Sequence, residues 1–110
     1  MKLPGGANAI VEISKLRDYC LDPHHPRGRH KARVFLTALD LSQGDAEFLR
    51  NALLKAAREE DAAHGEADQY GARYTVDFAM THGERKAQVR SAWIILQGES
   101  VPRLTSCFVF

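Results

Sequence analysis

Arg73-Tyr74-Thr75-Val76-Asp77-Phe78-Ala79-Met80 is the stretch on which the fold turns. Tyr74, Val76, Phe78 and Met80 alternate with Arg73, Thr75, Asp77 and Ala79, and a period of two puts one face of a β-strand in a core. Reading downstream, His82-Gly83-Glu84-Arg85 is a hairpin loop and a second strand runs from Lys86 to about Gln97. A turn around Gly98-Glu99-Ser100 leads to a third strand from Pro102 to Phe110. Four-residue loops at both hairpins set Tyr74 opposite Trp93, Trp93 opposite Ser106, and Phe78 opposite Val89. The same register brings Asp77 across from Arg90 on the other face, an opposite-charge pair that supports the alignment. That face is mixed: Arg73, Thr75, Asp77, Gln88, Arg90, Arg103 and Thr105 share it with Ile94, Leu96 and Val109. A protein partner or a second copy of the chain, giving a homodimer, would cover it.

Upstream of Gly71 the period is helical. Leu3-Pro4-Gly5-Gly6 is turn chemistry, and residues 9–13 form a short extended segment against the body. Ser14 reads as an N-cap for a first helix carrying Leu16, Tyr19 and Cys20, which Asp22-Pro23 ends. A second helix covers residues 29–39, with Ala32, Phe35, Leu36 and Leu39 on one stripe. Ser42 with Asp45 forms a capping box for a third helix through Ala46, Leu49, Leu53 and Ala56 to about Asp61, and Gly65 is its stop. The expected architecture is α+β: about three N-terminal helices, then a three- or four-stranded antiparallel β-sheet. At 110 residues, with no repeat and no linker, residues 1–110 read as one domain.

Fifteen Lys and Arg against fourteen Asp and Glu leave a net charge of +1, so no long-range field draws the chain to nucleic acid or membrane, and electrostatic targeting must be local. Without a signal-peptide pattern or an apolar run of membrane-spanning length, the expected location is the cytoplasm, with no membrane partner. Cys20 and Cys107 read as small buried hydrophobes of a reducing compartment, a disulfide being the less favoured alternative.

The least ordinary segment is His24-His25-Pro26-Arg27-Gly28-Arg29-His30-Lys31, continuing to Arg33. Cations in the first turn face the positive end of the helix dipole at a cost of roughly 0.3–1 kcal/mol each, so a sequence selected only for folding would place acids there. One interpretation is an anion site built from the helix N-terminus with Arg27, Arg29 and, from the sheet, Arg90 as phosphate-binding groups. His30 then serves as acid or base, Lys31 and Arg33 stabilise developing charge, and Thr105 donates its hydroxyl. The plainer interpretation lets the same side chains snorkel over apolar surface or pair with Glu59 or Glu60. Cys20, His24, His25 and His30 match no closed zinc pattern, and no Gly-rich phosphate loop, Cys-x-x-Cys or nucleophile elbow occurs. No metal and no cofactor is expected. His64 and His82, near a helix end and at a hairpin tip, read as surface residues.

Leu3-Pro4-Gly5, Lys15-Leu16-Arg17-Asp18-Tyr19, Asp22-Pro23-His24-His25-Pro26, Gly28-Arg29-His30-Lys31-Ala32-Arg33, Val89-Arg90, Trp93-Ile94-Ile95 and Val101-Pro102-Arg103-Leu104 together resemble an uncharacterised bacterial domain family of unknown function, DUF6883-like, over nearly the whole chain. Its members resemble small nuclease toxins that occur free, fused to secreted polypeptides, or paired with an antitoxin-like protein. The resemblance implies a metal-independent ribonuclease-like toxin, with RNA and an antitoxin-like protein as partners, by analogy of fold order alone. It supplies no catalytic set to carry over. The alternative is a non-catalytic interaction module whose helix start binds an anion. Ser106-Cys107-Phe108-Val109-Phe110 is more apolar than the family leads one to expect, which fits a strand extension or an interface.

Overall fold

The computed structural model describes all residues from Met1 to Phe110. Two helices and a short helical entry precede a four-stranded antiparallel sheet in the order β1-β2-β3-β4. The entry, α1 (Ile13–Lys15), runs straight into a π turn over Leu16–Cys20. Then come α2 (Arg29–Leu39), α3 (Ala46–Glu59), β1 (Ala62–Ala67), β2 (Gly71–His82), β3 (Arg85–Leu96) and β4 (Arg103–Val109).

The helices lie on one face of the sheet because their apolar stripes and the strands' alternate residues must share a core. Phe35 and Leu39 of α2 and Leu49 and Leu53 of α3 meet Val76, Val89, Trp93 and Leu104 from the strands, in one cluster of 22 buried residues. Two buried polar side chains beside it satisfy one another and the backbone. Trp93 Nε1 donates to Ser91 Oγ at 2.9 Å, and that hydroxyl donates to the Val76 carbonyl at 2.7 Å.

β2 and β3 pair as expected: Tyr74 opposite Trp93, Phe78 opposite Val89, Asp77 opposite Arg90. The second hairpin differs. A bulge between Ala92 and Trp93 puts Ser106 opposite Ala92 and Leu104 opposite Trp93. With six residues, 97–102, between β3 and β4, the loop no longer dictates the register, and burying Leu104 instead of a serine against Trp93 decides it. The bulge also changes the phase of β4, so Val109 pairs with Val89 and packs on the core instead of standing on the mixed face.

Three further local expectations are corrected. The first helix is capped by Glu12, with Ser14 inside it, because tertiary contacts set the chain's entry point. Ile10 donates to Pro102 O at 2.9 Å and accepts from Leu104 N–H at 3.0 Å, while Val11 is buried. Gly65 does not end a helix. α3 stops at Glu59, and Ala62–Ala67 becomes the fourth strand, pairing with β2 through a bulge between His64 and Ala67. His82 is tied into the fold: its Nδ1 lies 2.7 Å from the Leu39 carbonyl and its ring 4.8 Å from that of Phe48. The capping box at Ser42 and Asp45 is present. No helix is long and apolar enough to cross a membrane.

Candidate functional site

The loop before α2 is organised by a histidine and a tyrosine. His25 Nδ1 accepts from the Arg27 and Gly28 amides, each at 3.0 Å, and the His25 carbonyl accepts from Arg29 N–H at 3.0 Å. The His25 ring meets Tyr19 edge-on, with centroids 4.9 Å apart. Gly28 is pressed against Tyr19 so closely that an added Cβ would stand 2.1 Å from the Tyr19 carbonyl oxygen. Lys31 completes the set, its Nζ donating to Tyr19 Oη at 3.0 Å and lying 5.1 Å from the ring centroid. Side-chain and carbonyl acceptors of His25 thus consume the first amides of the turn, and the His30 and Lys31 amides are the ones left open at the helix start.

The helical period divides the cations that the sequence groups together. Arg29 and Arg33, one turn apart, line a cleft of about 430 Å³ with Leu21, Pro23, Leu36 and Leu41. His30 and Lys31 face the other flank, where a cleft of about 390 Å³ is completed by Val34, Phe108 and Val109. Arg27 is exposed on the connecting loop. Arg90 stands on the open sheet face, in register with Phe108, donating to both carboxylate oxygens of Asp77 at 2.8 Å and lying 4.6 Å from the Phe110 ring centroid. The Arg90 guanidinium holds the Asp77 carboxyl below its ordinary value. Thr105 is apart from these groups: its hydroxyl donates to the Ala92 carbonyl at 3.1 Å, in a cleft with Glu12, Lys15 and Arg103.

None of Arg27, Arg29, His30, Lys31 and Arg33 enters an ion pair. Pairing with the end of α3 does not occur, since Glu59 stands 4.0 Å from its neighbour Arg58. Nowhere do three or more His, Cys, Asp or Glu side chains gather as a metal site would require. Tyr19 and Phe108, which hold and border the cluster, went unnominated in the sequence because neither carries charge. The glycine before the helix was the available signal for a close neighbour.

The family described as a domain of unknown function (DUF6883) matches residues 2–110. The chain belongs to this family. No curated protein matches this DUF6883 domain. Among solved structures it is similar to a chain of a contact-dependent growth inhibition toxin and immunity protein complex from Klebsiella pneumoniae 342. The likeness has a TM-score of 0.65 at 14% identity and covers 96% of both chains, so it bears on the fold.

Proposed function

We propose that this DUF6883 domain is the effector of a bacterial growth-inhibition system and that it cleaves RNA at the start of α2. The observation that carries the reading is the group of five basic or imidazole side chains, Arg27, Arg29, His30, Lys31 and Arg33, without an acidic partner in a chain of net charge +1. Cations facing the positive end of a helix dipole lower stability unless an anion sits there. The likeness to a chain from a growth-inhibition complex supports the setting.

Chemically, the flank with His30 and Lys31 suits phosphodiester transesterification without a metal. The RNA 2′-oxygen attacks phosphorus, its proton passes to His30, and the bond to the 5′-oxygen breaks as that oxygen takes a proton from Lys31. The open His30 and Lys31 amides face the charge that develops on the phosphoryl oxygens. Phe108, in the same cleft, offers a ring for a base to stack on, and Arg29 and Arg33 hold a neighbouring phosphate across the helix. Arg27 and Arg90 extend the basic surface, whereas Thr105 lies in a separate cleft and takes no part in the reaction. An immunity or antitoxin-like partner would cover this region with acidic groups.

A second reading, a non-catalytic partner module, is favoured by Val34 and Leu36, which are 42% and 52% exposed beside the same cations. Inducible expression in a bacterial host separates the two. The effector reading expects growth arrest with fragmented RNA, and a His30→Ala protein that folds yet cleaves about 10²-fold more slowly or worse. Normal growth with intact RNA on expression of the folded wild type refutes the effector and leaves the partner module.

A further inference from the structure

Arg29 and Arg33 border the cleft of about 430 Å³ on one flank of α2, and neither meets a carboxylate. The acids beside the cleft in sequence are already engaged: Asp22 Oδ1 accepts from His24 N–H and Asp45 Oδ2 from Ser42 N–H, each at 2.9 Å. Gln43, which also lines the cleft, is fixed by its amide. Its Nε2 donates to the Arg17 carbonyl at 2.7 Å, and because that partner can only accept, Oε1 is the end left as a free acceptor. The floor is aliphatic but thin. Leu21, Ala32 and Leu41 are 2%, 4% and 1% exposed, so they offer a narrow slot and not a broad apolar patch.

We propose that this cleft is a nucleotide subsite that takes one RNA base bearing an exocyclic amino group, with the adjoining phosphate on Arg29 and Arg33. The inference rests on the effector reading and gives it a base preference. A cleft of this size falls in the range of roughly 300–1,000 Å³ that single small ligands occupy. Two unpaired guanidinium forks suit one phosphate, and their planes also stack on a base. A flat ring enters a narrow aliphatic slot, whereas the anchor side chain of a protein partner needs a deep pocket to desolvate it. The Gln43 carbonyl accepts from the amino group of cytosine, adenine or guanine. Against the 4-oxygen of uracil it sets acceptor against acceptor, and that bond is lost.

The start of α2 joins this subsite to the reaction. Arg29 and His30 are neighbours in the chain but line clefts on opposite flanks of the helix. An RNA strand crossing the helix start therefore sets one base in the cleft of Arg29 and Arg33 while its next phosphodiester lies at His30 and Lys31. Cleavage falls beside an amino-bearing base.

The test is a binding measurement with no cleavage step. The folded, isotope-labelled chain is titrated with cytidine 3′-monophosphate, uridine 3′-monophosphate and ribose 5-phosphate while its amide resonances are followed. The cytidine nucleotide should move the amides of Leu21, Leu36, Gln43 and Gly44 and bind about tenfold more tightly than either of the others. Arg33→Ala should weaken it about tenfold, and Gln43→Leu should bring cytidine and uridine to equal affinity. Equal affinities for the wild type, shifts confined to Val34, Phe108 and Val109, or no saturable shift would overturn the proposal. So would a Glu- and Leu-rich peptide that moves the cleft amides where no nucleotide does, which would give the cleft to a protein partner. The wild-type ranking alone decides if either variant fails to fold. Binding in this cleft without growth arrest refutes the effector and leaves the subsite, whereas RNA cleavage without binding here refutes the subsite and leaves the effector.

Discussion

Tyr19 shows how much one uncharged side chain organises. Its carbonyl abuts Gly28, its ring receives the edge of His25, and its hydroxyl accepts from Lys31. The expected consequence of Gly28→Ala is steric: a methyl group 2.1 Å from a carbonyl oxygen forces the loop off Tyr19. Destabilisation of about 1–3 kcal/mol should follow, measured by urea denaturation, and Lys31 should lose its fixed position. An unchanged midpoint would mean that the loop is free to move away at no cost. The basic residues themselves were legible in the sequence because charge at a helix start is conspicuous. The contacts of Tyr19 were not, since they join a π turn to a loop and a helix through no pattern of spacing.

At the scale of elements, α2 carries both a strength and a strain. Phe35 and Leu39 seat it on the sheet, but its C-terminus ends on Asp40 in the left-handed region, with φ 54°. The Asp40 N–H reaches Leu36 O and the Leu41 N–H reaches Phe35 O, the closing pattern that glycine serves at least cost. Asp40→Gly should therefore stabilise the protein by roughly 0.5–1 kcal/mol, also removing a negative charge from the negative end of the helix dipole. A lower thermal midpoint would contradict this account. β1 illustrates the opposite limit. Ala62-Ala63-His64-Gly65-Glu66-Ala67 has neither alternation nor β-branched residues, and it becomes a strand because β2 presents it with an open edge. The bulge at Ala92 and Trp93 is of the same kind, chosen by what Leu104 can bury.

Across the whole molecule, the helices have no core apart from the sheet. The cluster of 22 buried residues takes members from the N-terminal segment, the π turn, α2, α3 and all four strands. One cooperative unfolding transition is therefore expected, with the fluorescence of Trp93, the single tryptophan, following the same denaturant curve as far-ultraviolet circular dichroism. Separated curves would indicate that helices and sheet unfold independently. The same layering leaves one sheet face open, with the Asp77–Arg90 pair and Phe110 upon it, and places the α2 cations at its β4 side through Phe108.

What the sequence determined by itself is the set of features carried by local periodicity and local capping: α2, α3, the β2–β3 register, the Ser42 box and the concentration of cations at residues 27–33. Each follows from neighbours a few residues apart, or from a hairpin turn that fixes pairing at short range. Only the tertiary structure decided that Glu12 and not Ser14 opens the first helix, that residues 62–67 join the sheet, and that α2 sorts Arg29 and Arg33 to one cleft and His30 and Lys31 to another. The reason is physical: such choices turn on which distant surface is available to bury a side chain or accept a hydrogen bond, and no local pattern encodes that availability.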